Sequence, residues 1–457
     1  MYDVIVIGCG PGGYAAAIRA SQLGGKVAVV EAGDIGGTCV NRGCIPTKVW
    51  LRAAYLLHRI REGADFGIKA PVQEVDLGAI VERKNGVAGE IRMGMEALLT
   101  NNGVDLLRGH GHLRSPRQVE VEGKVLECKS LILATGSSLK TPDIPGLKEA
   151  AWTTDRVLNM DRVPSSALVW GEGGPIELEM ATLLNSFGSS VHLATHHARI
   201  LPGEDAETSQ RITQAYKEQG VKVYRRSTLE SVSHLDNGFE VRFSGPEQQV
   251  MEVEVILLTA RSPNTANLGL EKLGIRLNDD GSTRVSETLE TAVKGVYAIG
   301  DATGGRMSSH AASAMGVTAA ENAMGKANRF PFHLIPRGIW TFPQVGAVGL
   351  SEEEAEKRGY EVEVGDFPNS INGLAMCHGE VDGAVKIVSD AEYGDVLGIH
   401  IVGANATELI GEAVLALQLE CTADMLARSI RVHPTFSETI MDAGRDASHW
   451  ALYLPRR

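Results

Sequence analysis

Asp3-Val4-Ile5-Val6-Ile7-Gly8-Cys9-Gly10-Pro11-Gly12-Gly13 joins a β-branched run to a glycine turn, and the small residues Tyr14-Ala15-Ala16-Ala17-Ile18-Arg19-Ala20 follow. The expected local structure is a buried strand, a tight turn and a closely packed helix. In Gly8-x-Gly10-x-x-Gly13 the first glycine permits the turn, the second lets a pyrophosphate approach the backbone, and the third packs helix on strand. The next strand-like run, Lys26 to Val30, leads into Glu31, where a carboxylate accepts from an adenosine ribose hydroxyl. This unit is expected to bind a dinucleotide.

A second unit of the same build spans Ser166 to Thr195, with strand Ala167 to Trp170, a glycine turn, helix Glu177 to Phe187 and strand Ser190 to Ala194. Between the two, Val104 to Thr135 reads as several short strands ending in Ser130-Leu131-Ile132-Leu133-Ala134-Thr135-Gly136. Pro142, Pro145 and Gly146 break the pattern, as do Arg261-Ser262-Pro263-Asn264-Thr265 after the second unit. A short strand, Gly295 to Ile299, leads into Gly300-Asp301. From about Phe332 strands such as Ala384 to Val388 and Leu397 to Val402 precede a long apolar helix, Ala406 to Leu419. The expected fold class is α/β: two Rossmann-like dinucleotide-binding domains and a C-terminal α+β domain. The expected boundaries are 1–146 for the first domain, 147–262 for the second, 263–331 for a return to the first, and 332–457 for the third.

The chain's 457 residues suffice for about three domains. Its 43% hydrophobic and 22% charged residues exclude disorder, and its 52 glycines have no collagen period. A net charge of −13 repels phosphate backbones and anionic lipid, so neither nucleic acid nor a membrane is an expected partner. No apolar stretch reaches the roughly 20 residues of a membrane span, and no basic, apolar leader opens the chain. A soluble, cytoplasmic protein is expected.

Of six cysteines only Cys39 and Cys44 stand close together, in Gly36-Gly37-Thr38-Cys39-Val40-Asn41-Arg42-Gly43-Cys44-Ile45-Pro46-Thr47-Lys48. On a helix-like path this spacing permits a strained disulfide, and a helix N-terminus with Arg42 and Lys48 nearby favours a thiolate. A second Cys or His pair for zinc is missing. Spacing alone favours two reduced core cysteines; beside a dinucleotide fold the reading becomes a redox pair. Near the end, His433-Pro434-Thr435-Phe436-Ser437-Glu438 sets a carboxylate where it can orient an imidazole for thiol acid/base work, although a helix cap or a surface histidine also fits that pattern.

Together the first glycine turn, the Cys-Val-Asn-Arg-Gly-Cys-Ile-Pro-Thr-Lys run and the His-Pro-Thr-x-Ser-Glu tail resemble the flavin-dependent pyridine nucleotide-disulfide oxidoreductases, most closely the dihydrolipoamide dehydrogenases, over essentially the whole chain. The resemblance implies FAD at Gly8, Gly10, Gly13 and Glu31, with Thr38, Thr135, Gly136 and Asp301 among its contacts. It implies Cys44 as the charge-transfer thiolate, Cys39 as the thiol that exchanges with substrate, and Lys48 close to the flavin ring, with Glu179 near it. It further implies a homodimer in which His433 and Glu438 act across the interface on the partner's Cys39, making residues 332–457 a dimerisation domain. The chain ends Trp450-Ala451-Leu452-Tyr453-Leu454-Pro455-Arg456-Arg457, without the terminal redox pair expected of mercuric reductases and large thioredoxin reductases.

The second glycine turn departs from the pattern. It reads Gly171-Glu172-Gly173-Gly174-Pro175-Ile176-Glu177-Leu178-Glu179 and lacks a third glycine. Gly171, Gly173 and Glu179 remain as candidate NAD(P) contacts, but Glu177 is expected to crowd the helix, and Glu172 and Glu177 bring negative charge to a pyrophosphate position. The ribose-reading acid is replaced by Thr195, followed by His196, His197 and Arg199; these bases either accommodate the 2′-phosphate of NADP or form a solvated turn. The leading reading is an FAD enzyme passing electrons from a dithiol, lipoamide or a lipoyl-bearing protein, through Cys39 and Cys44, to NAD or NADP. The rivals are a paralogue with an impaired nucleotide site using a quinone or protein acceptor, a glutathione reductase-like NADPH disulfide reductase, and a non-catalytic flavin-bound scaffold.

Overall fold

The computed structural model describes residues 1–71, 74–246 and 249–455. Its first sheet aligns four neighbouring parallel strands, Asp105–Arg108, Val27–Glu31, Tyr2–Ile7 and Lys124–Leu133, with Val296–Ala298 added in parallel to the last. Val4, Val6, Val27, Val29, Leu131 and Ile132 are buried, which is why these strands read as continuous apolar runs: helices or further strands cover both faces. Ile7 pairs with Val30 and with Leu133, and Leu133 pairs with Ala298. The register therefore brings Gly8, Glu31, Thr135 and Gly300 to one edge, at the carboxyl ends of adjacent strands, where open α/β sheets bind ligands.

Two helices of small residues cross beneath that edge, Pro11–Gln22 and Ser309–Ala323. A Cβ on Gly316 would lie 2.3 Å from the Gly12 carbonyl oxygen, and one on Gly12 would lie 2.9 Å from that of Ala312. The contact exists because neither glycine carries a side chain, and it holds the start of the second helix against the first glycine turn.

The second parallel sheet runs Lys222–Tyr224, Ser190–Thr195, Ser166–Gly171, Val255–Leu258, Ala151–Trp152. Beside it stands an antiparallel sheet of Thr228–Leu235, Gly238–Ser244 and Gln249–Val253. The C-terminal unit is a five-stranded antiparallel sheet, Arg337–Ile339, Gln344–Gly349, Val396–Gly403, Ala384–Asp390, Val362–Pro368, packed by helices Ala406–Gln418 and Glu438–Ala447. Buried Lys386 ties this unit to the second, 3.3 Å from Asp205 and 2.5 Å from Glu352. The fold is the expected α/β class. Helix Leu77–Asn101 escaped the sequence reading because it buries only Lys84, Ala88, Met95 and Leu99 and carries three interior glycines, Gly86, Gly89 and Gly94, which disfavour helix. Among the described residues no helix is long and apolar enough to cross a membrane.

Candidate active site

Gly8 sits at φ +101°, and a Cβ there would lie 2.2 Å from the Ala134 carbonyl oxygen; one on Gly13 would lie 1.9 Å from that of Gly8. These two glycines are demanded by backbone against backbone. Gly10 is different: its Cβ would meet nothing nearer than the Gly37 Cα at 4.0 Å. It caps helix Pro11–Gln22 with no side chain on its amides, leaving a turn whose positive end is open to an anion. Glu31 is held at the rim by the amides of Cys9, at 2.6 Å, and Gly33, at 2.7 Å.

Cys39 lies in helix Gly37–Arg42, and Cys44 opens helix Cys44–Glu62. Ser309, the first residue of its own helix, places its Oγ 3.1 Å from the Cys44 Sγ. A hydrogen bond from Cys39 holds the Cys44 thiol well below the ordinary thiol range, against the opposing effect of burial, and Ser309 and the Lys48 ammonium add to it. The same hydrogen bond, with burial, pushes the Cys39 thiol up. One sulfur is therefore disposed as a thiolate and the other as its donor. Lys48 meets both oxygens of Glu179, at 2.9 and 2.8 Å, and stands 4.0 Å over the Trp340 ring, while the Trp340 amide donates to Glu179 at 3.2 Å. Ser309→Ala should raise the pH midpoint of Cys44 alkylation in the reduced protein by about one pH unit, because a donor to a thiolate is lost; iodoacetamide rates against pH measure it, and an unmoved midpoint would remove Ser309 from the site.

Arg261 knits the flank of the first turn. Its Nε donates to Ser137 Oγ at 2.8 Å, its Nη2 to the Ser137 carbonyl at 2.6 Å and to Thr38 Oγ1 at 3.4 Å, and Ser137 Oγ donates to Asp301 at 2.5 Å. Thr135 and Gly136 lie alongside, bonded to Asn264. Thr135 Oγ1 is buried without a partner among the described residues.

The second glycine turn corrects the sequence register. Its helix is capped by Gly174 followed by Pro175, as the first is capped by Gly10 followed by Pro11. Counted from that cap, the six-residue signature is Glu172-x-Gly174-x-x-Glu177, so Gly171 and Gly173 are not the signature glycines. Gly171 instead ends its strand, and Gly173, at φ +67°, makes the bend. Glu177 stands at the place of Gly13, yet it does not lever the helix away. Its carboxylate turns under the loop and accepts from the amides of Glu172 and Gly174, both at 3.1 Å, and from Thr259 Oγ1 at 2.5 Å.

The basic cluster is also spoken for. His197 lies 2.8 Å and His196 3.6 Å from Glu172. Arg199 donates to both oxygens of Glu353, at 3.1 and 2.9 Å, and to the Glu204 carbonyl. In the tail, His433 Nδ1 lies 2.9 Å from Glu438 Oε1, while Glu438 Oε2 accepts from the Thr435 amide at 2.8 Å. The His433 side chain is 78% exposed, and within one chain no hydrogen bond or ion pair joins it to either cysteine.

Residues 2–316 match the family model described as pyridine nucleotide-disulphide oxidoreductase, and residues 335–443 match that family's dimerisation domain. The chain belongs to the pyridine nucleotide-disulphide oxidoreductases. It is 39% identical to a dihydrolipoyl dehydrogenase of Thermus scotoductus, over 100% of this chain and 99% of that one, and 38% identical to one of Zymomonas mobilis, over 99% of each. Among solved structures it is similar to LpdA of Mycobacterium tuberculosis, with a TM-score of 0.88 and 26% identity over 97% of this chain and 99% of that one. The protein is an enzyme of the dihydrolipoyl dehydrogenase-like flavoprotein kind, an oxidoreductase acting on sulfur groups.

This family pairs FAD with a pyridine nucleotide, and the residues of the first turn fit FAD: the open Gly10 cradle, the Glu31 carboxylate at the strand end and the orphaned Thr135 hydroxyl. Four residues of this disulphide oxidoreductase's site were not foreseen from sequence. Ser137, Ser309 and Trp340 carry no local motif, and Arg261 is visible in sequence only as part of a domain boundary.

Proposed function

We propose that the protein oxidises a dithiol of the dihydrolipoamide class through Cys39 and Cys44, acting as a homodimer. The observation that carries the reading is the placement of the cysteine pair, with Cys44 opening helix Cys44–Glu62 and Ser309 Oγ 3.1 Å from its sulfur. In a disulfide exchange the sulfur with the lower thiol pKa leaves faster, and Cys44 is the one held low. A substrate thiolate accordingly attacks the Cys39 Sγ of the oxidised pair, breaking the Cys39–Cys44 bond and expelling Cys44 as thiolate. The second substrate thiol then attacks the substrate sulfur of the mixed disulfide, closing the substrate's own disulfide and releasing Cys39.

His433 of the partner subunit takes the proton of the incoming thiol. Its Nδ1 is turned to Glu438, which assigns the proton there and leaves Nε2 as the base. FAD, when bound, would supply the two-electron acceptor for the pair. Gly8, Gly10, Gly13, Glu31, Thr38, Thr135, Gly136 and Asp301 would hold it, and Lys48, fixed by Glu179, would stand near its ring. The dimer is supported by the family's dimerisation domain and by exposed apolar side chains on that unit: Ile430 is 96% exposed and Val432 77%, just before His433.

The test is an anaerobic titration of the purified yellow holoprotein with dihydrolipoamide. Bleaching of the flavin with growth of a long-wavelength thiolate-to-flavin band is expected; an unchanged spectrum would overturn the proposal.

A further inference from the structure

We infer that the second glycine turn is occupied from within, by the Glu177 carboxylate, and that Glu177 sets a weak affinity for pyridine nucleotides in this chain. The inference concerns the acceptor side of the reaction proposed above and rests on the family's use of such a nucleotide; the dithiol side does not depend on it.

A glycine turn binds a pyrophosphate because its backbone amides and the positive end of the following helix face an anion without competition. The two turns of this protein differ on that point. At the first, the Glu31 carboxylate takes the Cys9 amide, but no side chain caps Gly10 and no acid stands in the first helical turn. At the second, two amides of the turn already donate to one carboxylate, Glu172 N to Oε1 and Gly174 N to Oε2, and Thr259 completes its coordination. Pro175, next along, has no amide hydrogen to offer. Glu177 is only 5% exposed, so water screens its charge poorly. An incoming pyrophosphate meets both donors that are already used and a buried negative charge.

The basic cluster His196, His197 and Arg199 is engaged by carboxylates. Glu172, on the turn itself, is a second carboxylate, and His196 and His197 gather on it. Arg199 is held by Glu353. Glu177 is moreover fitted to its place. A Cβ on Gly171 would lie 2.2 Å from Glu177 Oε1, so the glycine at the strand end makes the room that the carboxylate uses. The Thr259 hydroxyl, just beyond strand Val255–Leu258, supplies a third donor from a neighbouring segment. Three donors and a matched glycine make the carboxylate a built part of the turn, an internal substitute for the anion that such turns bind.

The experiment is calorimetric titration of the oxidised holoprotein with NAD+ and with NADP+, for the natural chain, Glu177→Gly and Glu177→Gln. Glu177→Gly frees the amides and removes the charge, and should tighten binding of at least one nucleotide by about tenfold or more. Glu177→Gln keeps the shape, removes the charge, and should fall between. Flavin content and melting temperature check that each variant is folded. Should Glu177→Gly fail that check, Glu177→Gln decides alone: tighter binding than the natural chain supports the inference, and equal or weaker binding overturns it. If the natural chain binds either nucleotide as tightly as both variants do, the inference also fails. Reduction by dihydrolipoamide is read separately, so failure of the dithiol proposal and failure of this one leave different records.

Discussion

Reduction of Cys44→Ser holoprotein with excess dihydrolipoamide is expected to give no long-wavelength thiolate-to-flavin absorbance, and dithiol turnover is expected to fall by a factor on the order of 10⁴. Serine keeps the shape of the side chain and the contact to Ser309, but at neutral pH it cannot form the thiolate or the disulfide. Cys39→Ser should be equally inactive in turnover and opposite in spectrum. Cys44 then has no sulfur partner, retains a hydroxyl donor at position 39, and should show the band with no reductant added. Because its thiol is held below the ordinary range, near 8.5, the band should persist at pH values where an ordinary thiol is protonated, and disappear as the pH falls through the Cys44 midpoint. Spectra of the two variants across pH make the test. A band in Cys44→Ser together with its absence in Cys39→Ser would reverse the roles of the two sulfurs.

His433→Ala should lower the rate of dithiol oxidation by roughly 10²–10⁴-fold, the usual worth of a positioned general base. Flavin content should be unaffected, since the tail lies in the C-terminal unit, away from the first glycine turn. The informative experiment mixes this variant with Cys44→Ser under conditions of subunit exchange. Each homodimer alone lacks one component at both sites. In the mixed dimer, the intact cysteine pair of one chain meets the intact His433 of the other, so one site of two is complete. With statistical exchange about a quarter of the natural activity should return. Rates measured before and after exchange test this, and no recovery would place both groups of a site in the same chain or remove His433 from it.

The legibility of these features follows from the range of the forces that fix them. Gly8, Gly10 and Gly13 were readable because strand, turn and helix are contiguous in sequence, although the Ala134 carbonyl that demands Gly8 comes from a distant segment and only the contact of Gly13 with Gly8 is local. The cysteine pair was readable because the two cysteines lie close together in sequence, on adjoining helices. The resemblance supplied the remaining expected flavin contacts, among them Asp301, which follows a strand that joins the first sheet only after a long excursion.

What lay out of reach in the sequence depends on contacts between distant segments. Ser309 meets Cys44 across 265 positions, and Lys48 meets Glu179 across 131, a pairing that the resemblance alone had anticipated. Neither pair has a local signature, because each is set by how the helices pack. Glu177 gives the clearest contrast. Its replacement of a glycine and its negative charge were evident from the letters alone, and they predicted crowding and repulsion at the helix start. Only the tertiary structure decided the direction of its side chain, because the space beside Gly171 and the hydroxyl of Thr259 come from other segments and turn the carboxylate inward onto the amides. The sequence by itself determined where the chain can bend and which groups carry charge or a thiol; the packing of segments far apart in the chain decided which of those groups meet.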